Sequence, residues 1–410
     1  QLAISAGQEL ARKINSSRQS IDTEHENLNT RVDQLAREIN TVAEEIRQLN
    51  LRIVTLEGGG ASGSDAGGLR SQRGVALKRL AEIADIDSYE TETGVVNVAV
   101  SGEFLVFEGT RREVAAENVS HDGNVSNRVV FTNNGGELIV AGGELGGVYE
   151  ARDAILGGFL TGLDDFTGAL AFEFNKVFSQ GQGLVGYTAL EGTYRVNDPD
   201  AALHEAGLEF TPQNGEFNLL VRNKETGITE THTIAVDLLG TSGSLTTLNT
   251  LAASIDAIDG VTAAVSLDNQ LVINSESPVD LEFGFEKDSS HVLAAVGINT
   301  FFTGSYASNL GVNDELLIGD TADSKFAASL AGIGDEDLGN ALQLSGLQDK
   351  VLSDQHGRSI GGLYEQLIDL TTQGATTTAS VAEGLRLFEG TLEASAQAVS
   401  GVNLDEEAID

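Results

Sequence analysis

The 410-residue chain contains no cysteine, no methionine and no tryptophan, and only 3 prolines. Without cysteine there is neither a disulfide framework nor a thiolate metal site. Without tryptophan, and with aromatics at 5% of the residues, an aromatic platform for sugars has little support. Basic residues are scarce: 24 Lys and Arg stand against 62 Asp and Glu, a formal net charge of -38. A phosphate backbone is bound by a basic face that displaces its counterions, which argues against nucleic acid as a partner and equally against an anionic membrane surface. No apolar run approaches the roughly 20 residues that span a bilayer, so no membrane segment is expected. Residues 1–20 also lack the basic start, apolar middle and small-residue cleavage site of a Sec signal. A natural reading frame begins with methionine, so a chain that starts at Gln1 and has none is expected to be a trimmed or processed piece. The length gives room for two or three domains.

What the chain does have is a long seam. Leu28, Val32, Leu35, Ile39, Val42, Ile46, Leu49, Ile53 and Leu56 follow one another at alternating steps of four and three, with no proline between them. Ile14 and Ile21 continue the seven-residue register upstream. The pattern predicts one helix from about residue 5 to Glu57, whose strict part spans about 43 Å at 1.5 Å per residue. Gly58 to Gly68 reads as a flexible loop, and Leu69, Ala76, Leu80 and Ile83 mark a second helix folding back on the first. From Gly94 to Val140 the period changes to two, with Val96, Val98 and Val100 alternating and Asn133-Asn134-Gly135-Gly136 as a turn. Helical pattern returns from Leu145 to Phe178.

Between about residues 190 and 300 a separate unit is expected, with strands at Phe217–Val221, Thr231–Val236, Val261–Val265, Leu271–Asn274 and Leu281–Phe285. One amphipathic helix lies among them, marked by Leu245, Leu248, Leu251, Ile255 and Ile258. A second long stripe, Leu363, Leu367, Leu370, Val381, Leu385, Phe388, Leu392 and Val399, offers itself as the partner of the opening seam. The fold class is therefore α+β and multidomain. A discontinuous α-helical bundle rod, residues 1–190 and 345–410, carries a small β element at about 92–140, and a mainly-β α+β domain, 191–344, is inserted into it. An ordinary two-domain protein with a long helical hairpin fits the same pattern.

The search for chemistry finds little. Gly181-Gln-Gly183-Leu-Val-Gly186 fits G-x-G-x-x-G, but that fingerprint works where a strand enters and a helix leaves, and here a helix enters. It reads as a glycine-rich helix end. His25, His121, His204, His232, His291 and His356 are scattered without ligand spacing, and His204-Glu205 lacks the second histidine of a zinc helix. Asp164-Asp165 and Glu44-Glu45 are expected in so acidic a chain and point to different faces of a helix. Asp335-Glu336-Asp337 lacks the twelve-position loop of a calcium site. No catalytic, cofactor-binding or metal residue is assigned. Were the inserted domain a hydrolase, Asp198, Asp200 and His204 would be its only clustered candidates.

Several ordered segments resemble the bacterial flagellar hook-associated family. They are Asn27-Leu28-Asn29 with Val32, Ile39 and Leu49-Asn50; Leu69-Arg-Ser-Gln-Arg73 leading into Leu80-Ala-Glu-Ile83; and Glu144-Leu-Gly-Gly-Val-Tyr-Glu-Ala-Arg152-Asp153 with Asn175. Phe301-Phe-Thr-Gly304, Ala307 and the closing Ser400-Gly-Val-Asn-Leu-Asp-Glu-Glu407 complete the set, the last being the most specific. Together they cover nearly the whole chain and favour the branch that forms the junction of hook and filament. The unit at 217–285 resembles insertion modules of flagellin and its relatives.

The resemblance implies a non-enzymatic structural ring outside the cell, exported through the flagellar type III apparatus without a cleaved signal. It implies as partners the flagellar hook protein, the filament adaptor (hook-associated protein 3), further copies of the chain and an export chaperone acting on a C-terminal segment. The family continues outward at both ends into terminal assembly helices, so this piece is expected to be monomeric. The alternatives are the filament adaptor or another flagellin-like protein, and a hydrolase or adhesin domain carried on such a scaffold.

Overall fold

The computed structural model describes residues 1–57, 66–121, 124–241, 243, 245–352 and 355–400. The chain is a mixture of helix and sheet with a helical N-terminal domain. It divides into two compact units, Ser20–Phe159 and the remainder, Gln1–Gln19 with Leu160 onward. The predicted loop at 58–65 and the closing segment at 401–407 lie outside the described residues.

Helix α1 (Leu2–Glu57) is a single 56-residue rod, followed by α2 (Gly67–Ile83). Within Ser20–Phe159, every seam residue from Val32 to Ile53 is buried, Leu28 is half-buried and Leu56 is exposed. Burial of each such aliphatic side chain contributes roughly 1.5–3 kcal/mol. A four-stranded antiparallel sheet follows in the order β1 (Ile86–Glu90), β2 (Val96–Val100), β3 (Glu103–Phe107), β4 (Thr110–Arg111). Strands β5 (Val114–His121) and β6 (Asn124–Phe131) pair as a hairpin. Then comes one continuous helix, α3 (Gly143–Tyr149), a π-helical stretch (Glu150–Leu156) and α4 (Gly157–Phe178).

Within Ser20–Phe159 the α1 seam is covered by Ala76, Leu80 and Ile83 of α2, the valines of β2, Leu105 and Val106 of β3, Phe131 of β6 and Leu145 of α3. Val96, Val98 and Val100 line one face of β2, and with the neighbouring short elements they supply the surface that a second long helix would otherwise provide. Strand β1 was not anticipated, because four of its five residues are exposed and polar or aromatic.

The second unit carries the sheets expected between 190 and 300. These are β7 (Ala189–Glu191), β8 (Gly215–Asn223), β9 (Thr229–Val236), helix α5 (Leu248–Asp256), β10 (Val261–Val265), β11 (Leu271–Ser275) and β12 (Leu281–Glu286). They form two three-stranded antiparallel sheets, β10-β11-β7 and β12-β8-β9. Thr247 starts α5 with a capping box, its side chain and that of Thr250 each bonding the other's backbone N–H. Phe217, Phe283 and Phe285, Leu248 and Leu251 of α5, and the short α6 (Val292–Val296) share one core. Strands β13 (Phe302–Thr303) and β14 (Gly311–Val312) pair, and α7 (Gly339–Ser345) and α8 (Ile360–Ser400) close the described chain. On α8, Leu367 is buried while Tyr364, Ile368, Leu387 and Phe388 are exposed. The side chains of Leu370, Val381, Leu385, Leu392 and Val399 lie outside the described set.

Among the described residues one helix, Gly143–Phe178, is by length and composition long and apolar enough to cross a membrane, which the sequence reading did not find. That evidence is weak, because the same helix places Leu145 and Val148 in one core, buries Leu163, Leu170 and Phe178 in the other unit, and holds a fully buried arginine.

Candidate functional site

The residues that carried the family resemblance are side chains that tie helices to strands. Arg152 sits in the π-helical stretch with no exposed surface. Its Nη1 donates to Asn29 Oδ1 at 2.9 Å and to the Asn127 carbonyl at 2.7 Å. Its Nε donates to Asp153 Oδ1 at 2.7 Å, and Asp153 Oδ2 also accepts from Arg128 at 2.6 Å. One guanidinium thus joins α1, β6 and its own helix. Beside it, Tyr149 accepts a hydrogen bond from the Val129 N–H, and burial pushes its phenol pKa up.

Arg73 does the same for α2: buried, it donates to Asn50 Oδ1 at 2.9 Å and to the Gly94 carbonyl at 2.7 Å, and pairs with Glu90 at 3.1 Å. Asn50 meanwhile docks the backbone of Val96, donating to its carbonyl at 2.8 Å and accepting from its N–H at 3.1 Å. Asn40 holds Val114 in the same way, at 2.6 Å and 3.0 Å. A primary amide has one donor side and one acceptor side, so it completes a strand residue as a neighbouring strand would.

The device recurs in the second unit. Asn175 accepts from the N–H groups of Phe301 and Phe302 at 3.0 and 2.9 Å and donates to the Phe302 carbonyl at 2.9 Å. Phe301 and Phe302 thereby enter an aromatic cluster with Phe174, Phe178 and Phe326. Gly304 turns the chain after them at φ +78°, where a Cβ would lie 2.2 Å from the Asn309 carbonyl. Arg18 holds Asp164 at 2.5 Å, and Asp164 also accepts from the Ala307 N–H at 2.9 Å. Within this unit an apolar groove of about 660 Å³ runs between Gly7 and Leu10 of α1, Phe166 and Leu170 of α4, and Leu344 and Tyr364.

The glycine fingerprint is a packing device. A helix enters it and β-bridged chain leaves. A Cβ at Gly181 would lie 2.7 Å from the Ala327 carbonyl, and one at Gly183 would lie 2.3 Å from the Ser324 carbonyl. Asp198, Asp200 and His204 hold a loop: Asp198 accepts from the Asp200 N–H at 2.9 Å, Asp200 accepts from Asn249 at 2.7 Å, and His204 lies 3.7 Å from Glu205. Asp337 accepts from the N–H groups of Leu330 and Gly339, which lowers its pKa. Among the described residues no group of His, Asp and Glu could hold a metal ion.

The sequence reading used Asn29 and Asn50 only as parts of motifs and overlooked Asn40. A signal was present: Asn15, Asp22, Asn29, Ala36, Ala43 and Asn50 fall at intervals of seven, a second stripe beside the seam. Ala36, Ala43 and Asn50 are buried, and Asn15 reaches the Leu310 carbonyl at 3.0 Å.

This arrangement fastens one stretch of the chain to another and, among the described residues, brings together no acid, base and nucleophile set. Residues 1–191 match the family model described as flagellar hook-associated protein FlgK helical domain. Among solved structures, the flagellar hook junction protein FlgK from Burkholderia pseudomallei shares the fold, with a TM-score of 0.54 at 14% identity over 97% of this chain and 89% of that one. The flagellar junction protein FlgL from Legionella pneumophila aligns at 10% identity over 97% of this chain and 99% of that one, with a TM-score of 0.16 that carries no argument. A search of curated protein sequences gives no match.

The match places residues 1–191 with the helical domains of the hook-associated proteins of the bacterial flagellum. Over the whole chain the fold is FlgK-like. The matched family is a structural one.

Proposed function

We propose that copies of this chain form a ring between hook and filament outside the cell, after export through the flagellar type III apparatus. The hook protein binds one side of the ring and the filament adaptor, hook-associated protein 3, the other. An export chaperone receives the chain beforehand through a C-terminal segment. The helical parts, 1–190 and 345–410, pack against neighbouring copies, and 191–344 is displayed outward. The observation that carries this reading is the match of residues 1–191 to the FlgK helical domain. The buried α1 seam supports it, because a seam closed within one chain is unavailable for a two-chain coiled coil and leaves polar flanks for side-to-side contacts. No catalytic activity is proposed.

The test is to extend the chain with the terminal assembly helices of the family, immobilise it, and pass hook protein and filament adaptor over it separately. Binding to both proteins is expected. Binding to neither would overturn the junction role.

A further inference from the structure

Strand β9 forms one rim of the sheet β12-β8-β9. The opposite rim, β12, is covered by Tyr187, which exchanges two 2.8 Å backbone hydrogen bonds with Phe283. On β9 the covering stops short. The β8–β9 hairpin closes with the Asn223 N–H donating to the Ile228 carbonyl at 2.9 Å. The alternation of an antiparallel ladder then directs the backbone groups of Glu230, His232, Ile234 and Val236 toward β8, and those of Thr231, Thr233, Ala235 and Asp237 away from it. Asp237 bears this parity out, since its carbonyl accepts from the Thr246 N–H at 2.7 Å and its own N–H donates to Thr246 Oγ1 at 2.8 Å. One outer rung is thus made by the chain itself. At Ala235, Thr233 and Thr231, whose side chains are exposed, no backbone bond from the described residues completes the outer edge.

Beside these open rungs lies a crevice of about 550 Å³, walled on its far side by Thr250 and Ser254 of α5 and by Ile258. Open edges are normally blunted by lysine, proline or a bulge. β9 contains neither residue and its register on β8 is unbroken. The surroundings have one sign of charge: between Lys224 and Lys287 there is no Lys or Arg, while Glu225, Glu230, Asp237, Asp256 and Asp259 fall in the same stretch.

We propose that the outer edge of β9 takes an extended, cationic polypeptide segment of another protein as a fourth strand, seated against α5. Main-chain bonds to Thr231, Thr233 and Ala235 would hold it, and alternate Lys or Arg side chains would meet the acidic rim. A second copy of this chain is a poor occupant, since it brings 62 acidic against 24 basic residues to an already acidic edge. The proposal does not depend on the junction role and can fail without it.

The test uses the full chain and a fluorescein-labelled ten-residue peptide of alternating Lys and Thr, read by fluorescence anisotropy. A second peptide of the same sequence, N-methylated at every other residue, keeps the charge and loses the backbone donors. Binding of the first peptide is expected, weakened about tenfold or more by N-methylation, because main-chain bonds supply the affinity. Thr233→Pro removes an outward N–H without removing a bond to β8 and should weaken binding about tenfold, while Thr233→Ala should stay within about twofold. Circular dichroism establishes that Thr233→Pro is folded, and the N-methylated peptide decides the matter should it not be. Absence of binding, or equal binding of the two peptides, would overturn the proposal. So would equal binding of an alternating Glu and Thr peptide, or a dimer of the chain that Thr233→Pro abolishes.

Discussion

The unit Ser20–Phe159 and the sheet-rich stretch from Tyr187 to Ile298 both bury branched aliphatic side chains, yet they are closed by different means. In the first, a long helix presents a narrow stripe to strands it cannot surround, and polar side chains complete the backbone that remains: Asn40 at Val114, Asn50 at Val96, Arg73 at Gly94 and Arg152 at Asn127. In the second, two sheets and α5 close on one another around Phe217, Phe283 and Phe285, and most backbone groups find partners in neighbouring strands. A helix carrying an irregular β excursion needs directed polar ties, whereas stacked sheets need volume.

Removal of one residue from each region tests that contrast most sharply. Arg152→Ala leaves Asn29 Oδ1 and the Asn127 carbonyl without their donor and should cost about 3–5 kcal/mol in denaturant unfolding. Its loss of hydrogen-exchange protection should be confined to Ser20–Phe159. Phe283→Ala should cost a similar amount, about 3–5 kcal/mol, through a cavity, with protection lost in the sheet-rich stretch alone. Protection lost evenly across both regions in either variant would show that the two are not separately closed. Smaller effects are expected of Asn40→Ala and Asn50→Ala, about 1–3 kcal/mol each, from the strand groups they leave unbonded.

The smallest effects are in pH dependence and have opposite signs in the two regions. Hydrogen bonds from Arg47 and Gln48 hold the Glu44 carboxyl at about 2, below its ordinary 4.5. Its contribution is therefore complete above 4.5 and lost as pH falls toward about 2, and Glu44→Gln should abolish that part of the acid slope in thermal melts. Burial raises the Asp288 pKa above its ordinary 3.8, so its charged form is the costly one and stability should fall as pH rises above that value. Asp288→Asn should flatten that fall. A slope of the same sign at both residues would contradict the contrast in how the regions are closed.

Periodic features were legible in the amino-acid order. The seam from Val32 to Ile53, the helix to Phe178 and the strands from Phe217 to Phe285 recur as read, because apolar spacing is imposed directly by helix and strand geometry. Two kinds of feature escaped. Strand β1 has a polar sequence, since its backbone pairs with β2 while its side chains face outward. The cover of the seam within Ser20–Phe159 was only partly readable, because it is assembled from short pieces with no common period. The fastening amides Asn29 and Asn50 were readable only as part of a seven-residue stripe interrupted by Ala36 and Ala43, a pattern that ordinary helix surfaces also produce, and Asn40 and Asn175 lie off it.

The π-helical stretch at Glu150–Leu156 has one more effect. Each residue beyond the regular winding turns everything after it by about 100° around the axis. Leu145, Val148 and Tyr149, which precede it, and Arg152 within it are therefore set by two different windings. The stretch works as a phase adjuster within one continuous rod, so deleting a single residue there would re-aim a whole row of side chains while leaving every one of them in the sequence.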